Sequence, residues 1–139
     1  MTDRISSYSR SRNMAAIKSK NTSPELFIRS LAHRLGYRFR LHAKDLPGRP
    51  DLIFRSWKKV IFVHGCFWHQ HSSAKCLDGR VPKSNQSYWK PKLLKNTERD
   101  KRSLAELRKL KWKALVIWEC EIRDRERLAR ILTRFLDAP

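Results

Sequence analysis

Three kinds of chemistry meet in one short stretch of this chain. Asp51 follows Pro50 at the mouth of an apolar run. A second run, Val60-Ile61-Phe62-Val63, ends in His64-Gly65-Cys66-Phe67-Trp68-His69-Gln70-His71. A carboxylate suits a hard cation, imidazole and thiolate suit a softer one, and Phe and Trp can wedge between bases. A lone Pro-Asp pair is a weak signal, because Asp favours turns. Position strengthens it. A hairpin of the two runs brings Asp51 to the sheet end that carries Val63 and His64. A carboxylate there can hold Mg²⁺ with a backbone carbonyl and waters, and such an ion stabilises charge on a phosphodiester under attack.

The remaining polar residues divide into separate tasks. An unperturbed imidazole titrates near neutrality, so His69 is a candidate to move protons. Asp100 falls inside an otherwise apolar helix stripe, where a carboxylate needs a partner; orienting His69 would supply one. The alternative for Asp100 is an exposed charge among Arg99, Lys101 and Arg102. Cys66, His71, Cys76 and Cys120 make a Cys₃His set for a structural Zn²⁺, which would staple the polar stretch after His71. The alternative is three buried thiols. Phe67, Trp68, Tyr88 and Trp89 are candidate base wedges, or else caps on the core.

The elements that position these groups follow from patterning. Residues 1–13 are rich in Ser and Arg and read as an arm. Thr22-Ser23-Pro24-Glu25 starts a helix, with Thr22 as cap and Glu25 able to close a capping box; Leu26, Phe27, Leu31 and Leu35 form its apolar face, and Gly36 stops it. Tyr37 to Leu41 alternates as a strand, followed by the turn Leu46-Pro47-Gly48-Arg49-Pro50. Asp51 to Phe54 and Lys59 to Val63 form a hairpin. Residues 69–87 read as a long loop. Residues 92–111 form a helix with the stripe Leu93, Thr97, Asp100, Leu104 and Leu107. Ala114 to Trp118 is a buried strand ending at Cys120. Residues 124–136 form a last helix with Leu128, Ile131, Leu132 and Phe135 inward. The order gives an α/β fold around a mixed sheet, with the strands before and after the long helix as a parallel pair.

Bulk composition narrows the substrate. The chain has 139 residues, with Lys+Arg 32 against Asp+Glu 13, a net charge of +19. Such a field attracts polyanions, so nucleic acid is the natural partner. No apolar run approaches the ~20 residues that span a bilayer, and no apolar signal core follows Met1-Thr2-Asp3-Arg4. The expectation is a cytoplasmic, monomeric protein with no membrane partner. Three cysteines do not suggest a disulfide framework in that compartment.

Five stretches, in order, carry a resemblance: Ser11-Arg12-Asn13-Met14-Ala15-Ala16-Ile17, Leu46-Pro47-Gly48-Arg49-Pro50-Asp51, Val60 through His69, Lys95-Asn96-Thr97-Glu98-Arg99-Asp100, and Val116-Ile117-Trp118-Glu119-Cys120. The chain resembles the very-short-patch-repair (Vsr) DNA mismatch endonucleases. The resemblance implies a restriction-endonuclease-like core with a structural zinc site, an N-terminal DNA-clasping arm over residues 1–20, and one endonuclease domain over 21–139. Phe62-Val63-His64 stands where the wider superfamily has acid-x-lysine, a replacement Vsr proteins share.

The implied activity is nicking beside the T of a T·G mismatch, a product of 5-methylcytosine deamination, leaving a 5′-phosphate and a 3′-hydroxyl. By the same resemblance Asp51 and the Val63 carbonyl bind catalytic Mg²⁺, His69 is the general acid or base supported by Asp100, and His64 and Glu25 assist. Cys66, His71, Cys76 and Cys120 hold Zn²⁺. Phe67, Trp68 and Trp89 intercalate, Lys92 and Asn96 contact the mismatch, and Asn13 and Met14 lie in the clasping arm. A mismatch-repair coordinator and a repair polymerase are the implied partners. Two features depart from the pattern: Val63 replaces a Thr, and Ser72-Ser73-Ala74-Lys75 lengthens the loop before Cys76. The rival functions are a related nicking or restriction-type nuclease with another target, and a non-catalytic zinc-bearing DNA-binding module.

Overall fold

The computed structural model describes residues 22–66 and 86–139. Helix α1 spans Ser23–Arg34; β1, Arg40–Leu41; β2, Leu52–Phe54; β3, Lys59–His64; α2, Gln86–Lys109; β4, Lys113–Trp118; and α3, Arg125–Asp137. Short 3₁₀ turns follow β2 and β4, at Arg55–Trp57 and Glu119–Arg123. The strands lie in the order β1-β2-β3-β4. The first two pairings are antiparallel and β3·β4 is parallel, so the sheet is mixed and the parallel pair flanks the long helix as expected.

Alternation along the strands divides the core. Leu52, Phe54 and Ile61 face α1 and α3, joining Ile28, Leu31, Ala32, Leu128, Leu132 and Leu136. Ile53, Val60 and Phe62 join Leu107 of α2, with Ala43 and Leu46 closing that side. Successive strand side chains point to opposite faces, so both sheet faces are covered by helices. The hairpin turns through the 3₁₀ segment and Lys58, whose φ is +53°. Lys59 is 3% exposed. Its Nζ donates to the carbonyls of Phe135 at 2.7 Å, Leu136 at 3.2 Å and Ala138, so a buried ammonium is satisfied by the α3 C-terminus.

Several boundaries differ from the sequence pattern. The strand expected over Tyr37–Leu41 is only Arg40–Leu41. Gly36, at φ +98°, donates to His33 O, and Tyr37 N–H returns to Ala32 O. This is a Schellman cap, which commits the backbone of Tyr37 to the helix end rather than to a ladder. Helix α2 starts at Gln86, six residues before the expected start, so Tyr88 and Trp89 lie on its first turns. Pro91 is the sixth residue of α2, so it removes the bond its N–H would have made to the Ser87 carbonyl, and the helix continues through it. Strand β4 is half-buried, with only Ile117 fully covered, because it is the outermost strand of the described sheet. In α3, Leu136 takes a buried place, while Ile131 and Phe135 are half-buried. Cys120 sits in the 3₁₀ turn after β4 rather than at the strand's end. Among the described residues no helix is long and apolar enough to cross a membrane.

Candidate metal and nuclease centre

The turn after β1 delivers Asp51 to the sheet end. Gly48 has φ +77°, and a Cβ there would lie 2.8 Å from Ser103 Cβ and 3.0 Å from the Phe62 ring, so the turn packs directly on α2 and β3. Arg49 N–H closes on Leu46 O at 3.3 Å. Asp51 N–H then donates to Ile61 O at 3.0 Å, extending the ladder by one bond. Its side chain accepts from Val63 N–H at 2.6 Å. Main chain and carboxylate of Asp51 are thus both anchored on β3, beside Val63 and one residue from His64. Burial pushes the Asp51 carboxyl up to about 6; the Val63 N–H and the Arg29 guanidinium pull it down but only partly offset that cost.

Helix α1 brings a second carboxylate. Thr22 Oγ1 caps the helix by accepting from Glu25 N–H at 3.4 Å. The Glu25 carboxylate is 1% exposed and is engaged by Arg29, one turn later, and by His42, whose Nε2 lies 3.2 Å from Glu25 Oε2. Arg29 Nη2 also lies 2.9 Å from His42 Nε2. The ligand atoms of Glu25, His42 and Asp51 all fall within 4.8 Å of one another. Two carboxylates and an imidazole, one acid carrying an uncompensated desolvation cost, form a donor set suited to a divalent cation.

Sequence reasoning named Glu25 and Asp51 but missed His42 and Arg29. A signal for His42 existed. Leu41 pairs with Leu52, so continuing the antiparallel ladder by one step sets His42 opposite Asp51. Arg29 follows from Glu25 by helical spacing of four.

His64 ends β3, 7% exposed, with its ring 5.7 Å from Phe62 and 5.2 Å from Trp118, edge to face with the latter. Asp100 is half-buried in the α2 stripe whose buried members are Leu93 and Leu107. Trp89, Lys92 and Asn96 recur at helical spacing on the first turns of α2. Trp89 packs edge-on against Tyr88 at 4.8 Å, Lys92 Nζ lies 5.7 Å over the Tyr88 ring, and Asn96 Oδ1 accepts from Arg99 at 3.3 Å.

His64 pairs with Trp118 across the parallel ladder, so buried Cys66 and half-buried Cys120 each lie two residues beyond the same rung. Cys66 N–H donates to Glu119 Oε1 at 3.4 Å. Thiols at neighbouring strand exits are compatible with one shared Zn²⁺. His69, His71, Cys76, Phe67, Trp68, Asn13 and Met14 lie outside the described residues.

Comparison with known proteins gives a consistent picture. The model of a family described as DNA mismatch endonuclease Vsr matches residues 2–75. The type II nicking enzyme V.XorIIP of Xanthomonas oryzae pv. oryzae is 50% identical over 99% of this chain and 98% of its own length. The DNA mismatch endonuclease Vsr of Escherichia coli K12 is 41% identical over 92% of this chain and 80% of its own. Among solved structures, the homing endonuclease I-Bth0305I catalytic domain shares the fold at a TM-score of 0.56 and 18% identity, over 83% of this chain and 94% of that one.

Proposed function

Because the chain belongs to the DNA mismatch endonuclease Vsr family and is a DNA endonuclease, we propose that it nicks one strand beside the T of a T·G mismatch and so starts very short patch repair. The observation that carries the chemistry is the desolvated Asp51 carboxylate beside Glu25 at the sheet end, in a chain of charge +19. Asp51 and the Val63 carbonyl hold Mg²⁺, which when bound neutralises charge on the scissile phosphate and acidifies water there. His69 moves the proton, and Asp100 orients it and stabilises its charged form. His64 and Glu25 fix the polar surroundings. Hydrolysis leaves a 5′-phosphate and a 3′-hydroxyl.

Phe67, Trp68 and Trp89 wedge into the step beside the mismatch, which costs less to unstack than a paired step. Lys92 and Asn96 contact the mismatched bases. The arm of residues 1–20, with Asn13 and Met14, clasps the duplex, and residues 21–139 form one catalytic domain. Cys66, His71, Cys76 and Cys120 hold a structural Zn²⁺. The enzyme works as a monomer on bacterial chromosomal DNA in the cytoplasm, handing its nick to a mismatch-repair coordinator and a repair polymerase.

A second reading, a nicking enzyme with another target context, is favoured by the name of the relative that is 50% identical. One experiment separates them: cleavage of end-labelled duplexes carrying each mismatch and a paired control, with randomised neighbours. The main reading expects a single-strand cut at T·G only, lost with Asp51→Ala while binding persists. Equal cutting of paired duplex would refute it in favour of the second. Binding should fall by ~10³-fold or more between about 50 and 200 mM salt if six or more phosphates are neutralised.

A further inference from the structure

We infer that His42 is a third protein ligand of the divalent cation at Asp51, with Arg29 standing in for the ion when the site is empty of metal. The inference rests on the reading that a cation binds at Asp51, and it adds a nitrogen donor to that site. His42 is fixed by the same ladder as Asp51: its N–H donates to Asp51 O at 3.4 Å. Its φ is +50°, a conformation that β-carbon sterics disfavour and that surrounding structure must hold in place.

His42 Nε2 lies 2.9 Å from Arg29 Nη2 and 3.2 Å from Glu25 Oε2, so this one nitrogen faces both the cation and the buried carboxylate. Imidazole binds a metal through a ring nitrogen's lone pair, and Nε2 is the nitrogen turned toward the carboxylates. Arg29 donates toward both Glu25 and His42, at the place where positive charge is needed. The side chain of His42 is 25% exposed, so an ion can reach it. The donor atoms of His42, Asp51 and the adjoining Glu25 lie within 4.8 Å of one another, against about 4.2 Å for ligands on opposite sides of an ion with ~2.1 Å bonds. Closing that gap and swinging Arg29 aside completes a mixed nitrogen and oxygen set. Imidazole favours transition ions over Mg²⁺, so the site should prefer Mn²⁺.

The test uses the full chain without DNA. Mn²⁺ and Mg²⁺ are titrated by calorimetry, and bound Mn²⁺ is examined by electron spin-echo spectroscopy for coupling to ¹⁴N. The wild type should bind Mn²⁺ at least about 10-fold more tightly than Mg²⁺ and show imidazole coupling, in line with ligand preference. His42→Gln should lose the coupling and about 10-fold in Mn²⁺ affinity, the scale on which metal-site partners act, while Mg²⁺ affinity changes by less than about threefold. Arg29→Met should tighten both ions, because it removes the competing cation. Coupling that survives His42→Gln, or an Arg29→Met protein that binds both ions more weakly, overturns the inference. If Asp51→Asn leaves Mn²⁺ binding unchanged, the underlying reading of the site falls instead.

Discussion

Asp51 should destabilise the metal-free protein. Its carboxyl ionises at about 6 in the fold instead of the ordinary 3.8. The folded state therefore holds its proton more tightly than the unfolded chain does. The stability tied to that proton is fully present below about pH 4 and is lost as the pH rises through 6. Two pH units at ~1.4 kcal/mol each give about 3 kcal/mol, an upper figure because Asp51 keeps some contact with water; ~2 kcal/mol is the working value.

Asp51→Asn keeps an acceptor for the Val63 N–H and removes the charge. In excess chelator at about pH 7.5 the variant should melt roughly 6 °C above wild type, taking ~3 °C per kcal/mol for a chain of this size. The advantage should shrink to about half at pH 5 and nearly vanish at pH 4, following the linkage curve. Adding Mg²⁺ should raise the melting temperature of wild type alone, and the variant should not cleave DNA. A variant that melts below wild type at pH 7.5 in chelator would refute the reasoning. It would mean that the ionised carboxylate already has all the compensation it needs without a cation.

Three further outcomes follow from packing and ligation. Gly48→Ala should cost roughly 2–4 kcal/mol in denaturant unfolding, because the new methyl meets Ser103 and Phe62 and the backbone is at φ +77°. Lys59→Met should cost roughly 2–4 kcal/mol by the same assay, because the α3 carbonyls lose a charged donor; the specific activity of the folded fraction should hold. Elemental analysis of gently purified protein should find about one zinc per chain, with Cys66→Ser and Cys120→Ser each lowering it; a zinc-free, folded and active wild type would count against the staple.

Local pattern carried much of the fold. The apolar runs around Asp51 and Val63 fixed a hairpin, and with it the meeting of Asp51, Val63 and His64 at one sheet end, before any coordinates. The stripe from Leu93 to Leu107 runs through Asp100, which is half-buried in the fold. The alternation over Tyr37–Leu41 overstates β1, because the helix cap at Gly36 also takes the Tyr37 N–H, which bonds back to Ala32. What stays hidden otherwise depends on partners distant in sequence. Arg29 and His42 become part of the site only when α1 and β1 are set against β2. Propensity does not encode that arrangement. Glu25 shows the same limit: helix chemistry explains why an acid sits in the first turn, and only packing reveals that its carboxylate is spent on Arg29 and His42.

The grip of Lys59 on the α3 carbonyls has a consequence at the opposite end of β3. A strand that slides by one position exchanges its two faces, which here would trade Val63 for His64 and drag the ammonium away from its acceptors. Lys59 therefore acts as a register pin, five residues and about 17 Å from the histidine at the strand's other end. The accuracy with which this strand places the His64 imidazole is set at its opposite end, by an amine locked onto the last turn of a helix.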